Sequence, residues 1–224
     1  VGPVKISVSQ IFYIILNKIG ILDNNEHFTS IQKSVLWDIR MPRIILGALV
    51  GLALGSAGAI LQGLFRNPLV DPGFIGVSSG AAVGAMIAIK FSAFFMIYFS
   101  DLLLLLILPL LAGSGAFVST MIIYKMSKVS SKTNIMAMLL SGIAVNALAG
   151  SIIGLFISLS SDAELRSFTF WTLGGLDNAN WEIVVLSSLV VFFLSSLIYS
   201  IRYQLDIFML GDVDAYNLGV NVEK

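Results

Sequence analysis

The sequence predicts an all-α protein, a polytopic transmembrane helical bundle of about five spans. Composition gives the first reason: 57% of the 224 residues are hydrophobic and only 12% are charged, with a mean hydropathy of +0.94. A water-soluble domain carries roughly 25% charged residues, because its surface must face water. The second reason is segregation, since the charges fall in short clusters between long apolar runs. The third is length: five runs meet or approach the roughly 20 residues that a helix needs to cross a hydrocarbon core about 30 Å thick.

The first apolar patch, Ile11–Leu16, is too short to span and is followed by Asn17 and Lys18. Val8–Ile19 is therefore expected as an amphipathic helix lying at the membrane surface, followed by a long connection, Ile21–Arg40. The five spans are Ile44–Phe65, Phe74–Ile89 with a few flanking residues, Leu102–Tyr124, Ile135–Leu159 and Ile183–Ile201. Between them, Arg66–Gly73 is a tight turn punctuated by Asn67-Pro68 and Asp71-Pro72-Gly73. Lys125–Asn134 is short and basic. Ser160–Glu182 is long and carries Leu165, Phe168 and Thr172 at helical spacing. Trp37, Trp171 and Trp181 lie in or beside the long connections, which places all three at the headgroup level of one side.

Orientation follows weakly from charge. The side with short turns holds Arg66, Lys125, Lys128, Lys132 and Arg202, and the other holds Lys18, Lys33, Arg40, Arg43, Lys90 and Arg166. The Lys125–Lys132 cluster favours its own side as cytoplasmic under the positive-inside rule. Arg40 and Arg43 then lie outside, against that rule.

Small residues recur every four positions in three spans. Gly47, Gly51 and Gly55 lead into Ala59 and Gly63; Gly76, Gly80 and Gly84 lead into Ala88. Such stripes let another helix approach closely, so that van der Waals packing replaces the missing hydrophobic drive, and packing is the expected role of both. In the fourth span Gly142, Asn146 and Gly150 share a face with Gly154 and Ser158. An amide at mid-membrane needs a partner or water. Asn146 therefore either bonds a neighbouring helix or, with Gly142 and Gly150, lines a translocation pathway. The last span, with Phe192 and Phe193, is expected to meet lipid.

The residues of the spans argue against several functions. No span has an ionisable residue near its centre, where proton- or sodium-coupled carriers hold their coupling ion. An intramembrane protease would need paired aspartates or a metal-ligand cluster, and the lone His27 sits in a polar loop. The chain has no phosphate-binding glycine loop ending in Lys-Ser/Thr, so it does not itself hydrolyse ATP. With no cysteine it has no disulfide or thiolate metal site. A net charge of zero gives no nucleic-acid signal, nothing calls for a cofactor, and Val1–Gln10 lacks the apolar core of a cleavable signal peptide.

After the last span the composition changes. Asp206–Lys224 carries Asp206, Asp212, Asp214 and Glu223 and emerges on the side of Arg66 and Lys125–Lys132. Gly211 is placed to end one short helix and Asp212 to cap the next by accepting backbone N–H bonds. Ala215 and Leu218 would share one face, and Gly219 would terminate the helix. Two short helices joined at a glycine suit a rigid knob for a cleft on a partner.

The motifs carry a resemblance. Arg40-Met41-Pro42-Arg43 is followed by Gly58-Ala59-Ile60-Leu61-Gln62-Gly63-Leu64-Phe65-Arg66-Asn67-Pro68-Leu69-Val70-Asp71-Pro72-Gly73, then by Gly76-Val77-Ser78-Ser79-Gly80-Ala81. Leu139-Leu140-Ser141-Gly142-Ile143-Ala144, Phe170-Trp171-Thr172-Leu173-Gly174-Gly175-Leu176, Leu210-Gly211-Asp212 and Leu218-Gly219-Val220-Asn221-Val222 complete the series. In order and spacing these blocks resemble the FecCD-type permeases of type II ABC importers over the whole chain. The departures are small: Met41 replaces a common leucine and Val70 a usual alanine.

The resemblance implies one permease half of an ATP-driven importer for an iron–siderophore complex, haem or cobalamin, working by alternating access in the bacterial cytoplasmic membrane. Its implied partners are a second permease copy in a homodimer, two ATP-binding subunits and a soluble binding protein. Arg40 and Arg43 would face outward and pair with acidic residues of that binding protein, although at a helix start they could equally snorkel to lipid phosphates. Leu210, Gly211, Asp212, Ala215, Leu218 and Gly219 would lie where the family's coupling helices begin. Residues 1–224 would form a single partial domain, with 1–43 an external amphipathic helix and loop, 44–203 the five spans and their loops, and 204–224 the cytoplasmic coupling region. Family members have about ten spans, so the chain is expected to hold the second to the sixth. The alternative is a secondary carrier or channel without an ATPase, which has no need of the acidic tail. Large chelates are expected to be recognised mainly by the binding protein, leaving the pathway smooth.

Overall fold

The computed structural model describes residues 3–22, 27–129 and 132–219. Gly2, the Val220–Lys224 end of the expected coupling region and the side chains of Lys132 and Asp212 lie outside the described residues. In chain order the elements are α1 (Val8–Lys18), α2 (Ser30–Ser34), a wide π turn (Val35–Arg40), α3 (Met41–Phe65), a 3-10 turn (Pro72–Ile75), α4 (Val77–Lys90), α5 (Ser92–Tyr98) and α6 (Asp101–Met126). A minimal hairpin of β1 (Lys128–Val129) and β2 (Lys132–Thr133) precedes α7 (Ile135–Ser158), α8 (Asp162–Leu173), α9 (Trp181–Ser200), α10 (Arg202–Met209) and α11 (Asp212–Asn217). The hairpin is antiparallel, with Lys128 opposite Thr133; otherwise the described chain is helical. It divides into two compact units, Val1–Ser56 with Gly175–Ile201, and Ala57–Gly174 with Arg202–Lys224.

In the first unit α1 is amphipathic, as its pattern predicts. Ser7 and Gln10 close a capping box at its start, and Ile14 is buried with Phe28 and Leu36. His27 stacks on Tyr13 with ring centroids 4.2 Å apart. The connection expected over Ile21–Arg40 is only partly a loop. A second capping box, Thr29 with Gln32, starts a helix at Ser30, and Ser30–Phe65 then runs as one apolar helix of 36 residues. At 1.5 Å per residue it is roughly 54 Å long and begins well outside the hydrocarbon. The external loop expected to fill residues 30–43 is therefore helical. Pro42 explains the π turn before it: a proline ring clashes with the carbonyl four residues back and leaves it without a donor. The wider turn relieves the clash, and the Met41 N–H donates to Leu36 O instead. Trp37 and Trp181 meet, their ring centroids 5.0 Å apart, and the Trp181 indole N–H donates to Trp37 O at 3.0 Å. Phe192 and Phe193 are exposed on α9, as a lipid-facing span requires.

In the second unit α4 lies against α6 with almost nothing between the backbones. A β-carbon at Gly80 would overlap the Gly115 carbonyl oxygen, and one at Gly84 the Leu111 carbonyl oxygen. The expected Phe74–Ile89 span takes a different form. Its first residues make the 3-10 turn, Gly76 turns left-handed at φ 76°, and α4 has only 14 residues, about 21 Å. At Phe91 the chain bends by 63° into α5. By length and composition four helices among the described residues can cross a membrane, or five if this bent pair is one span. Lys90 marks the bend: its ammonium donates to Glu164 at 3.0 Å and to Leu159 O at 2.6 Å. The helix foreseen around Leu165, Phe168 and Thr172 is α8, started by a capping box of Ser161 and Glu164. Phe168 packs with Met86 and Ile89 in one core cluster, while Leu61, Phe65, Val70, Ile75, Ile123 and Met138 form the other.

Candidate functional site

The functional residues expected from the sequence fall in three places. The first is the arginine pair in the first unit, held by the junction of the π turn and α3. Arg40 is half-buried and its Nη2 donates to Val4 O at 2.7 Å. Arg43 is exposed and its Nη2 donates to Asp177 O at 3.1 Å. Three residues apart on a helix they share a face, with buried Pro42 between them. A guanidinium carries five N–H donors in a planar fork. Backbone carbonyls thus orient each arginine while most of its donors are left over, and neither pairs with a carboxylate among the described residues.

The second place is the Asn146 face of α7. Asn146 Nδ2 donates to Gly73 O at 3.0 Å, and the Ser79 hydroxyl donates to Asn146 Oδ1 at 2.6 Å. One turn earlier, Gly142 is pressed so closely on the Phe74 carbonyl oxygen that no β-carbon fits. Thr120 on α6 donates to Ile75 O at 3.2 Å. These side chains seat the Asp71–Gly76 segment, whose own backbone bonds run from Phe74 N–H to Asp71 O and from Gly76 N–H to Gly73 O. Asp71 accepts from Gly73 N at 2.7 Å to start it, and the Gly76 φ ends it. Ser119 Oγ, buried beside Gly76, has no partner among the described residues. The expected trio is thus divided: Gly142 and Asn146 bear on this loop, while a β-carbon at Gly150 would meet nothing within 4 Å. The stripes divide in the same way. Gly76, Gly80 and Gly84 face α6, whereas Gly51 and Gly55 have nothing within 4 Å and Gly47 only Leu176 at 3.4 Å.

The third place is the knob of α10, Gly211 and α11. Gly211 joins the helices at φ 124° and Gly219 ends the second at φ 82°; both are conformations that glycine adopts without a β-carbon penalty. Asp212 was expected to cap α11, but Gly211 occupies the cap position with no side-chain bond and Asp212 is the first helical residue. Ala215 and Leu218 do not share a face. Ala215 is wholly buried, whereas Leu218 lies past the helix end and is 56% exposed. The helix ends one residue too early to carry both. Leu210 and Tyr216 are exposed beside it.

Arg66 is the residue that pattern reading missed. It ends α3 in the left-handed conformation, at φ 49°, where glycine is usual. Its Nε and Nη2 both donate to Phe208 O, at 3.2 and 2.7 Å, and its guanidinium lies 4.8 Å from the centre of the Phe208 ring. Nearby, Met209 Sδ is 3.3 Å from where a β-carbon on Gly63 would sit. A cation immediately after a long apolar helix is the available signal, but it says nothing of a partner 142 residues away.

The model of the FecCD transport family matches residues 1–224. The hemin transport system permease protein HmuU of Yersinia pestis is 40% identical over 84% of this chain and 55% of its own length. The cobalamin import system permease protein BtuC of Halobacterium salinarum is 35% identical over 85% of this chain and 49% of its own. The chain thus spans about half the length of these relatives. A solved structure, described as an inward-facing conformation of a metal-chelate type ABC transporter, superposes with a TM-score of 0.72 at 27% identity, covering 96% of this chain and 69% of that one.

Proposed function

The chain belongs to the FecCD transport family and is a multi-pass membrane protein, and from that premise we propose that it forms the greater part of one permease half of an ATP-binding-cassette importer. Its cargo is an iron chelate, haem or cobalamin, carried across the bacterial cytoplasmic membrane by alternating access. ATP is hydrolysed on separate subunits, two of which drive a permease dimer, and a soluble binding protein delivers the cargo. The observation that carries the reading is the knob. Two short helices hinged at Gly211, with Leu210, Tyr216 and Leu218 exposed, are anchored by a forked arginine rather than left as a solvated loop. A rigid, partly apolar projection can transmit force from a motor subunit. Arg40 and Arg43, oriented by backbone carbonyls and with donors left over, suit an acidic partner outside the membrane. Gly150 is the pathway candidate whose β-carbon position meets nothing among the described residues, and Gly51 and Gly55 offer a close-packing face to another helix.

The test is reconstitution of the full-length permease with its ATP-binding subunits in vesicles, with binding protein and labelled chelates supplied outside. Uptake should need ATP within and be indifferent to ionophores. Uptake driven by a proton or sodium gradient without ATP would instead establish the secondary-carrier alternative.

A further inference from the structure

The Arg66 guanidinium acts on three parts of the molecule at once. It doubly bonds the carbonyl of Phe208 near the end of α10, which also accepts from the Gly211 N–H at 3.3 Å. It covers the Phe208 ring. Its own backbone ends α3 and opens the Asn67–Gly76 loop. That loop is fixed at its far end by Asn146 through Gly73 O and by Gly142 against Phe74 O. One short stretch of backbone therefore joins the knob at one end and α7 at the other. We propose that Arg66 is a positioning residue of the transport cycle, a clasp that makes α10, the end of α3 and the Asn67–Gly76 loop move as one body. Displacement of the knob by a motor subunit then reaches the Asn146 face of α7. This rests on the coupling role proposed for the knob.

The geometry is specific to arginine. Two N–H groups converge on one carbonyl while the centre of the cation lies 4.8 Å from the centre of a ring. Lysine supplies a point charge that cannot do both. The cost of holding a non-glycine residue at positive φ is offset only if the side chain is needed where that backbone points it.

The experiment uses the full-length permease assembled with its ATP-binding subunits in vesicles. Arg66→Gln should co-purify those subunits and hydrolyse ATP normally, while uptake per ATP falls roughly tenfold, as expected from the loss of a charge-assisted bond. Arg66→Lys should not restore it. A second arm exploits the absence of cysteine in this chain. A β-carbon at Gly63 would lie 3.3 Å from Met209 Sδ and 3.6 Å from Met209 Cγ, so the two positions are side-chain neighbours that a disulfide or a short bis-thiol cross-linker can join. Closing a Gly63→Cys, Met209→Cys pair should leave uptake intact in the wild-type background and restore it in the Arg66→Gln background. The coupling reading is judged separately by Leu210→Glu, which should release the ATP-binding subunits; normal co-purification and uptake in that variant would sink the coupling reading. Unchanged uptake per ATP in Arg66→Gln overturns the clasp, and so does a disulfide that stops wild-type uptake until it is reduced.

Discussion

Replacing Asn146 with leucine keeps the volume of the side chain and removes both of its hydrogen bonds. Of the two partners, the Ser79 hydroxyl has a second acceptor, Gly76 O at 3.2 Å, so it need not be left unpaired. The Gly73 carbonyl bonds the Asn146 amide at 3.0 Å and, when that bond is lost, keeps the Gly76 N–H as a donor at 3.2 Å. A typical intramolecular hydrogen bond contributes about 0.5–1.5 kcal/mol net. Measured hydrogen bonds between membrane helices average nearer 0.6 kcal/mol, because the unfolded chain also finds partners. With both partners still satisfied, the expected loss for Asn146→Leu is about 0.5–1.5 kcal/mol. In a cycle with Ser79→Ala, the two changes should be non-additive by about 0.5 kcal/mol or more. The assay is unfolding of the purified full-length permease in detergent, paired with uptake in vesicles. A bracing amide predicts lost stability, with uptake falling only as far as folded protein is lost. If stability is unchanged and uptake is abolished, Asn146 faces the pathway and the bracing argument is wrong.

Gly80→Ala places a methyl group against the Gly115 backbone, which cannot give way, and should destabilise by about 1–3 kcal/mol. Gly51→Ala meets nothing among the described residues and should cost less than Gly80→Ala, acting only through the helix proposed to pack on that face; a thermal-shift comparison of the two checks the contrast. Reversing both outer arginines, Arg40→Glu with Arg43→Glu, should weaken binding-protein affinity and flatten its salt dependence. Unchanged affinity at low salt counts against docking. The Glu164 carboxyl is held below its ordinary pKa of 4.5, first by the backbone N–H of Ser161 and then by the Lys90 ammonium. A carboxyl lowered in the folded state adds stability above its unfolded pKa and loses it as pH falls through the folded one. Wild type should therefore be more stable than Glu164→Gln above about pH 5, with the gap closing on acidification below 4.5; a persistent gap well below that refutes the assignment.

Spans were legible because bilayer thickness imposes a length on apolar runs, and α8 because Leu165, Phe168 and Thr172 stand at helical spacing. Hydropathy carries no direction, so the 63° bend at Phe91 left no mark in the apolar run. The stripes of Gly51, Gly55 and Gly80, Gly84 have the same spacing, yet only the second meets a helix in this chain. Spacing reports the ability to be approached and is silent about the neighbour. The π turn was implicit in Pro42, but reading it required knowing that the helix already existed upstream. The facing of Ala215 and Leu218 failed because α11 ends at Asn217, one residue before the pair is complete. Arg66 was hidden for a different reason: a left-handed arginine has no periodicity, and its partner is distant in sequence.

The shortness of α4 has a consequence for biogenesis. At 14 residues it is below the roughly 17 that cross a bilayer unaided, and it leaves the ribosome before α6, the helix whose backbone it abuts. A translocon sampling segments one at a time would have little reason to release α4 into lipid alone. Gly80 and Gly84 gain their contacts only once Leu111 and Gly115 have been synthesised. The two segments should accordingly enter the membrane as a pair, and the insertion efficiency of α4 becomes a property of a sequence about thirty residues downstream.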